Sequence, residues 1–178
     1  MVGADFQSMC GLLDRRELSP VEFIEQCTRA MATAVNCSRA GIWLFQGSGD
    51  DRVLHCLGIY DRTADRMTRV PDELKQTVGA YFEALEQVGH VVAVDALTHP
   101  ATSGLFSHHA NVNDVRSLLA AAFSMNGRLF GAFTCSQVHR QTNWTQSQLT
   151  TLKRIGTRAS LALAGPSQSN DFSLPLQP

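Results

Sequence analysis

Two apolar segments, Ser117–Ser124 and Arg128–Val138, flank the turn Met125-Asn126-Gly127, and they constrain the fold more than any other stretch. Asn-Gly accepts the positive φ angles of a tight reversal, so the segments are predicted to form an antiparallel hairpin. Alternation places Leu118, Ala120 and Ala122 on one face of the first strand and Leu119, Ala121 and Phe123 on the other. In the second strand Leu129, Gly131, Phe133 and Cys135 alternate with Phe130, Ala132 and Thr134. Both faces are apolar, so water must be kept from both. The hairpin is therefore expected at the centre of a sheet, with helices on one face and a lid or cavity on the other.

A chain of 178 residues favours one domain with a proper core. With 44% hydrophobic and 17% charged residues its composition is globular rather than disordered. The net charge is −1 and the Lys and Arg residues are scattered, which argues against a nucleic-acid partner. No apolar run approaches the roughly 20 residues that span a bilayer. Met1–Cys10 lacks the charged-then-apolar order of a signal peptide, so a cytoplasmic protein with no membrane partner is expected. The five cysteines (Cys10, Cys27, Cys37, Cys56, Cys135) are odd in number and form no CxxC pair. They read as free, mostly buried thiols in a reducing compartment.

Helices are predicted at Phe6–Asp14, from Pro20 to about Asn36, at Asp72–Gln87 and at Gln146–Leu163. Ser19, Pro20 and Glu22 make a start signal close to a capping box. Gly89 stops the third helix, and Trp144-Thr145 leads into the last. Ser38–Gln46 and Arg52–Tyr60 form a further hairpin, and His90–Val94 is a short strand. Asp61–Pro71 reads as a loop. Asp95–Asn113 is irregular, with a short helix at Ser103–Ala110. Residues 1–164 read as one domain; residues 165–178, rich in Pro, Ser and Gln, read as a flexible tail or the start of a linker.

The order and spacing of several short motifs resemble the GAF domain family, in the form found beside diguanylate cyclase and histidine kinase modules. They are Arg39-Ala40-Gly41-Ile42-Trp43-Leu44, Leu54-His55-Cys56, Tyr81-Phe82-Glu83-Ala84-Leu85 and Val91-Val92-Ala93-Val94-Asp95-Ala96 with Pro100. Arg116-Ser117-Leu118-Leu119, Gly127-Arg128-Leu129-Phe130-Gly131-Ala132-Phe133 and Trp144-Thr145 complete the set. The resemblance implies an α+β, GAF-like (profilin-like) fold. A central antiparallel sheet of about six strands would carry the terminal helices on one face, often at a homodimer interface. The Asp72–Gln87 helix and the Asp95–Asn113 segment would roof a pocket on the other. Asp95-Ala96-Leu97 stands where the photoreceptor branch of that family has Asp-Ile-Pro, and no chromophore-bearing Cys can be placed, which speaks against a bilin. The Pro-Gly-His signature of the free methionine sulfoxide reductases is also missing. With no output domain after Leu163, the chain reads as a free-standing sensor or an excised piece that acts on a kinase or cyclase partner.

The candidate ligand-binding residues are Trp43, Cys56, Tyr81, Phe82, Asp95, Arg116, Leu118 and Cys135. The three large aromatics suit an apolar pocket, though such residues also build plain cores. Asp95, at the end of a strand, is either a carboxylate for a ligand or the cap of an Asx-turn. Arg116 either pairs with Asp95, holds an anionic ligand, or is a solvated strand-end charge. Cys56 and Cys135 carry no feature that would lower their pKa and read as inert. His99, His108 and His109 match no metal-ligand spacing and read as loop histidines, so no metal site is assigned. The pattern also identifies no cofactor. His55 and Cys56 face opposite sides of a strand and cannot act together as base and nucleophile.

The expected function is a non-enzymatic regulatory domain that binds a small molecule and signals through the terminal helices of a dimer. The alternatives are a thiol-based GAF-like reductase of a small oxidised metabolite and a ligand-free dimerisation module.

Overall fold

The computed structural model describes residues 2–47, 49–106, 114–125 and 127–163. Helices α1 (Val2–Asp14) and α2 (Pro20–Val35) lead into strands β1 (Arg39–Gln46) and β2 (Val53–Asp61), joined by a 3-10 turn at Gly49–Asp51. There follow β3 (Arg66–Thr68), β4 (Glu73–Leu74), α3 (Lys75–Val88), β5 (His90–Ala93), α4 (Ser103–Phe106), β6 (Val115–Met125), β7 (Arg128–Val138) and α5 (Gln146–Leu163). The sheet runs β3-β2-β1-β7-β6-β5 with every neighbour antiparallel, and β4 adds a short pairing to β2. The β6–β7 hairpin lies inside the sheet, flanked by β5 and β1. Met125 pairs with Arg128 where the hairpin reverses, and Gly127 has φ +74°.

Each face of the sheet has its own apolar layer. On one face Ile42, Leu57, Leu119, Ala121 and Phe133 pack with Met9 and Leu13 of α1, Phe23, Ile24, Cys27 and Met31 of α2, and Leu152, Ile155 and Ala159 of α5. A side chain such as Phe133, fully buried, contributes about 1.5–3 kcal/mol. On the other face Leu54, Leu118, Ala120 and Ala132 pack with Val78, Tyr81, Phe82 and Leu85 of α3.

Local chemistry explains the helix ends. Ser19 Oγ accepts from the Glu22 amide (3.2 Å) while the Glu22 carboxylate accepts from the Ser19 amide (2.9 Å), a complete capping box with Pro20 at the first position. Asn36 closes α2 in the left-handed region, and Gly89, φ +79°, closes α3 with its amide on the Leu85 carbonyl. At α5 the Thr145 hydroxyl accepts from the Gln148 amide and the Gln148 side chain accepts from the Thr145 amide.

Several sequence expectations need correction. Strict alternation along β7 fails because Phe123 pairs with Gly131 and Ser124 with Leu129, leaving Phe130 as an extra residue. The bulge reverses the parity, so Leu129 packs on the α3 face while Phe130 joins Phe123 and Phe133 on the other. Asp61–Pro71 is not simply a loop, since β3 pairs with Ile59–Asp61 as an edge strand. Three residues with a single buried-side anchor, Met67 beside Thr28, are too few to show a period. The third helix starts at Lys75 rather than Asp72, because Asp72 is held by His55 Nδ1 (2.8 Å) and Glu73–Leu74 pair with β2. It also kinks at Val78. Only Ser103–Phe106 of the expected 103–110 helix falls within the described residues, and the 165–178 tail falls outside them.

Candidate ligand-binding face

The sheet face opposite the terminal helices is only partly clad by α3, which packs on β5 and β6. Phe82 sets its ring against Phe45 (4.6 Å between centroids), and the Arg52 guanidinium lies over both rings while paired with Glu86. Farther along β1 lie Trp43 and its neighbours on β2 and β7. Trp43, Ile59 and Thr134 are part-buried there. The Trp43 indole N–H donates to Thr134 Oγ1 at 3.0 Å, and the Thr134 hydroxyl reaches the Gly41 carbonyl at 3.4 Å. Gly41 makes room for this arrangement: a methyl group there would meet Thr134 Oγ1 at 3.0 Å, Trp43 Nε1 at 3.1 Å and Ile59 Cγ1 at 3.2 Å.

A charged cluster ends this strip. Arg39, on the same side of β1 as Gly41 and Trp43, donates from Nε to Asp61 (2.7 Å) and from Nη1 and Nη2 to the two oxygens of Asp114 (2.9 Å each). Burial alone would raise the Asp61 carboxyl. The Arg39 hydrogen bond and the Ala64 and Thr63 amides outweigh it and hold the group below its ordinary value. One guanidinium between two carboxylates leaves the cluster with a net negative charge.

The candidate residues divide into groups. Trp43, Leu118, Tyr81 and Phe82 share this face and its apolar layer. Tyr81 and Phe82 are 2% and 1% exposed, so they are core under α3, and burial pushes the Tyr81 phenol up. Cys56 pairs with Trp43 across the β1–β2 ladder but is fully buried, and burial pushes its thiol up to about 11. Asp95 Oδ1 accepts from the Leu97 amide (3.1 Å), an Asx-turn, and Oδ2 accepts from Gln141 Nε2 (2.8 Å). Arg116 is the bulged residue between the Val115–Val138 and Ser117–Gln137 pairs, and its side chain is exposed. It makes no ion pair with Asp95 among the described residues. Cys135 lies apart from the others, buried among the terminal helices beside Cys37; burial first, and then Cys37, raise its thiol well above the ordinary value. His99 accepts the Ala101 amide on Nδ1; His108 and His109 lie outside the described residues. No three His, Cys, Asp or Glu residues gather as metal ligands among the described residues.

Sequence reading missed Gly41, Thr134 and the Arg39–Asp61–Asp114 cluster. Thr134 carried a usable signal, as the single hydroxyl in the run Leu129–Cys135. The cluster carried none, because its members are 22 and 53 residues apart in the chain and meet only through the sheet.

An antiparallel sheet with terminal helices behind it and a helix and loops before it defines an α+β domain of the profilin-like kind. The sequence pattern of the GAF domain matches residues 19–163, and the chain belongs to the GAF domain family. No curated protein matches it. Among solved structures it is similar to the phycoerythrobilin-bound GAF domain from a cyanobacterial phytochrome, at 13% identity and TM-score 0.69 over 92% of this chain and 94% of that one. It is also similar to the cyanobacteriochrome TePixJ GAF domain, at 16% identity and TM-score 0.60 over 81% and 88% of the two chains. A third is the free methionine-R-sulfoxide reductase from Neisseria meningitidis, solved in complex with its substrate, at 14% identity and TM-score 0.62 over 89% and 86%. Such low identities establish a shared fold. No helix among the described residues is long and apolar enough to cross a membrane.

Proposed function

We propose that this GAF domain is a sensory module that binds a small molecule on the Trp43 face, as a homodimer, and passes the change in occupancy to α5 and an output partner. The observation that carries this reading is the uneven cover of the second sheet face. α3 covers the end of the face that holds Phe45, Leu54, Leu118 and Ala120, while Trp43, Ile59 and Thr134 remain part-buried. A mostly apolar surface with a few fixed polar groups is what small-ligand sites require. One of the structural relatives is phycoerythrobilin-bound by its description, which supports small-molecule binding by the fold; this chain's Asp95-Ala96-Leu97 points to a ligand of another kind.

A reductase function has one relative in its favour, but the thiols do not suit it. Cys27, Cys56 and Cys135 are buried with raised pKa values, the opposite of an activated nucleophile. Native mass spectrometry of freshly purified protein tests the proposal. A dimer that retains a small-molecule mass adduct is expected; a bare monomer overturns it.

A further inference from the structure

The connector between β7 and α5, residues 139–145, grips the Asp95 and Asp114 ends of the stretch between β5 and β6, and then caps the helix that leaves the domain. At its start the His139 amide donates to the Asp114 carbonyl (2.7 Å). In its middle Gln141 Nε2 donates to Asp95 Oδ2 (2.8 Å). The Thr142 amide donates to Ser117 Oγ (2.7 Å), which in turn donates to the Val94 carbonyl (2.5 Å). At its end Thr145 caps α5 through Gln148, whose side-chain amide also donates to the last carbonyl of α2, on Val35 (2.8 Å). Asp95 is thus shared: one carboxylate oxygen holds the Leu97 amide of its own turn and the other holds the connector.

From this we infer that residues 139–145 form a clasp, with Gln141 as its positioning residue, that couples the conformation of the 95–106 segment to the first turn of α5. Its meaning as a signalling route rests on the sensory reading above; the coupling itself does not. A carboxylate cannot turn to a new geometry at Leu97 and keep its second oxygen on Gln141, so a shift of the 95–97 turn pulls on a seven-residue connector already pinned at Ser117 and Thr145. The connector is too short to take up such a shift as slack, because its hydrogen bonds fix it at the start, middle and end.

Residue-resolved amide hydrogen exchange on the unliganded protein tests the clasp. The Leu97, Thr142, Gln148 and Leu149 amides, bonded respectively to Asp95 Oδ1, Ser117 Oγ, Thr145 Oγ1 and the Thr145 carbonyl, are the reporters. Gln141→Glu sets two carboxylates against each other on the surface, and all four reporters are expected to exchange about fivefold faster or more. The Phe23 amide, bonded to the Ser19 carbonyl in the first turn of α2, is expected to keep its rate. In the double variant Asp95→Asn with Gln141→Glu the amide of residue 95 donates to the new carboxylate, and all four rates are expected to return to those of the parent chain. Acceleration confined to Leu97, no acceleration at all, a uniform rise that includes Phe23, or failure of the double variant to restore the rates each overturns the clasp. The measurement uses no ligand, so native mass spectrometry can refute the sensory reading while the clasp stands, and the reverse.

Discussion

The Trp43 indole N–H donates to the Thr134 hydroxyl at 3.0 Å, tying β1 to β7 on the sheet face opposite the terminal helices. Neither group is fully buried. The bond orients the indole beside Gly41, where a methyl group would crowd its Nε1 at 3.1 Å. The broad apolar surface of the candidate site thus has its geometry set by one hydrogen bond and by one missing side chain.

Trp43→Ala should therefore remove ligand binding while leaving the fold intact. The side chain is part-buried, so its loss should cost less than the roughly 3–5 kcal/mol of a fully buried aromatic. Native mass spectrometry of this variant should show a folded dimer without the small-molecule adduct of the parent protein. Thr134→Val keeps the shape but leaves the indole N–H unpaired, and chemical denaturation should show a smaller loss of about 1 kcal/mol. If both variants retain the adduct at parental occupancy, the ligand sits elsewhere.

Arg39 predicts an acid limb in the stability profile. Its guanidinium holds the Asp61 carboxyl below the ordinary value against the opposing effect of burial. A group depressed in the folded state contributes stability that is present above its unfolded value of about 3.9 and is lost as pH falls through the lower folded value. Urea unfolding followed downward from about pH 5 should show that loss beginning near pH 4 in the parent chain. Asp61→Asn should flatten the limb. Arg39→Ala should flatten it too, and should destabilise the protein by about 2–3 kcal/mol at neutral pH by leaving Asp61 and Asp114 without their shared cation.

What the sequence made legible was the local and the periodic. The reversal from β6 into β7, the Ser19–Glu22 capping box and the two-faced β6 each follow from neighbours within a few residues, and each is found in the structure. The bulge at Phe130 was hidden because an extra residue in one strand is defined only by its partner, and nothing in Arg128–Val138 announces it. Asp95 and Arg116 show the same limit at the candidate site. Both sit where a strand meets a loop, and only the folded structure reveals that Arg116 is bulged outward while Asp95 is held by Leu97 and Gln141. Cys135 was grouped with Trp43 although its strand position puts it on the helix side, where the terminal helices bury it.

The bulge makes Gly131 intolerant of substitution. A methyl group there would lie 2.6 Å from Phe123 Cε1 and closer still to the Trp43 backbone carbonyl, which cannot swing away as a side chain can. Gly131→Ala should destabilise the domain by about 3 kcal/mol, at the upper end of overpacking costs. Denaturant titration gives this number directly. An effect below about 0.5 kcal/mol, the range of an ordinary surface substitution, would mean that β1 and β7 are not held in the register Trp43 to Ala132.

The cysteines separate a sensor from a thiol enzyme most directly. Burial pushes the Cys56 thiol up to about 11 and raises Cys27 and Cys135 further from reactivity. At pH 7.5 a thiol with a pKa near 11 presents on the order of a hundredfold less thiolate than one at its ordinary value, and buried sulfur is shielded from reagent as well. Cys10 is the most accessible of the five, although burial first and Asp14 second raise it too, and its sulfhydryl donates weakly to the Arg158 carbonyl. Iodoacetamide on the native protein, followed by peptide mass spectrometry, should therefore modify Cys10 first and slowly, with a rate that climbs as pH rises from 6 to 9. The four buried thiols should be modified only once denaturant is added. Rapid modification of any cysteine near pH 6 would require a thiolate that this structure does not stabilise, and would favour the reductase over the sensor.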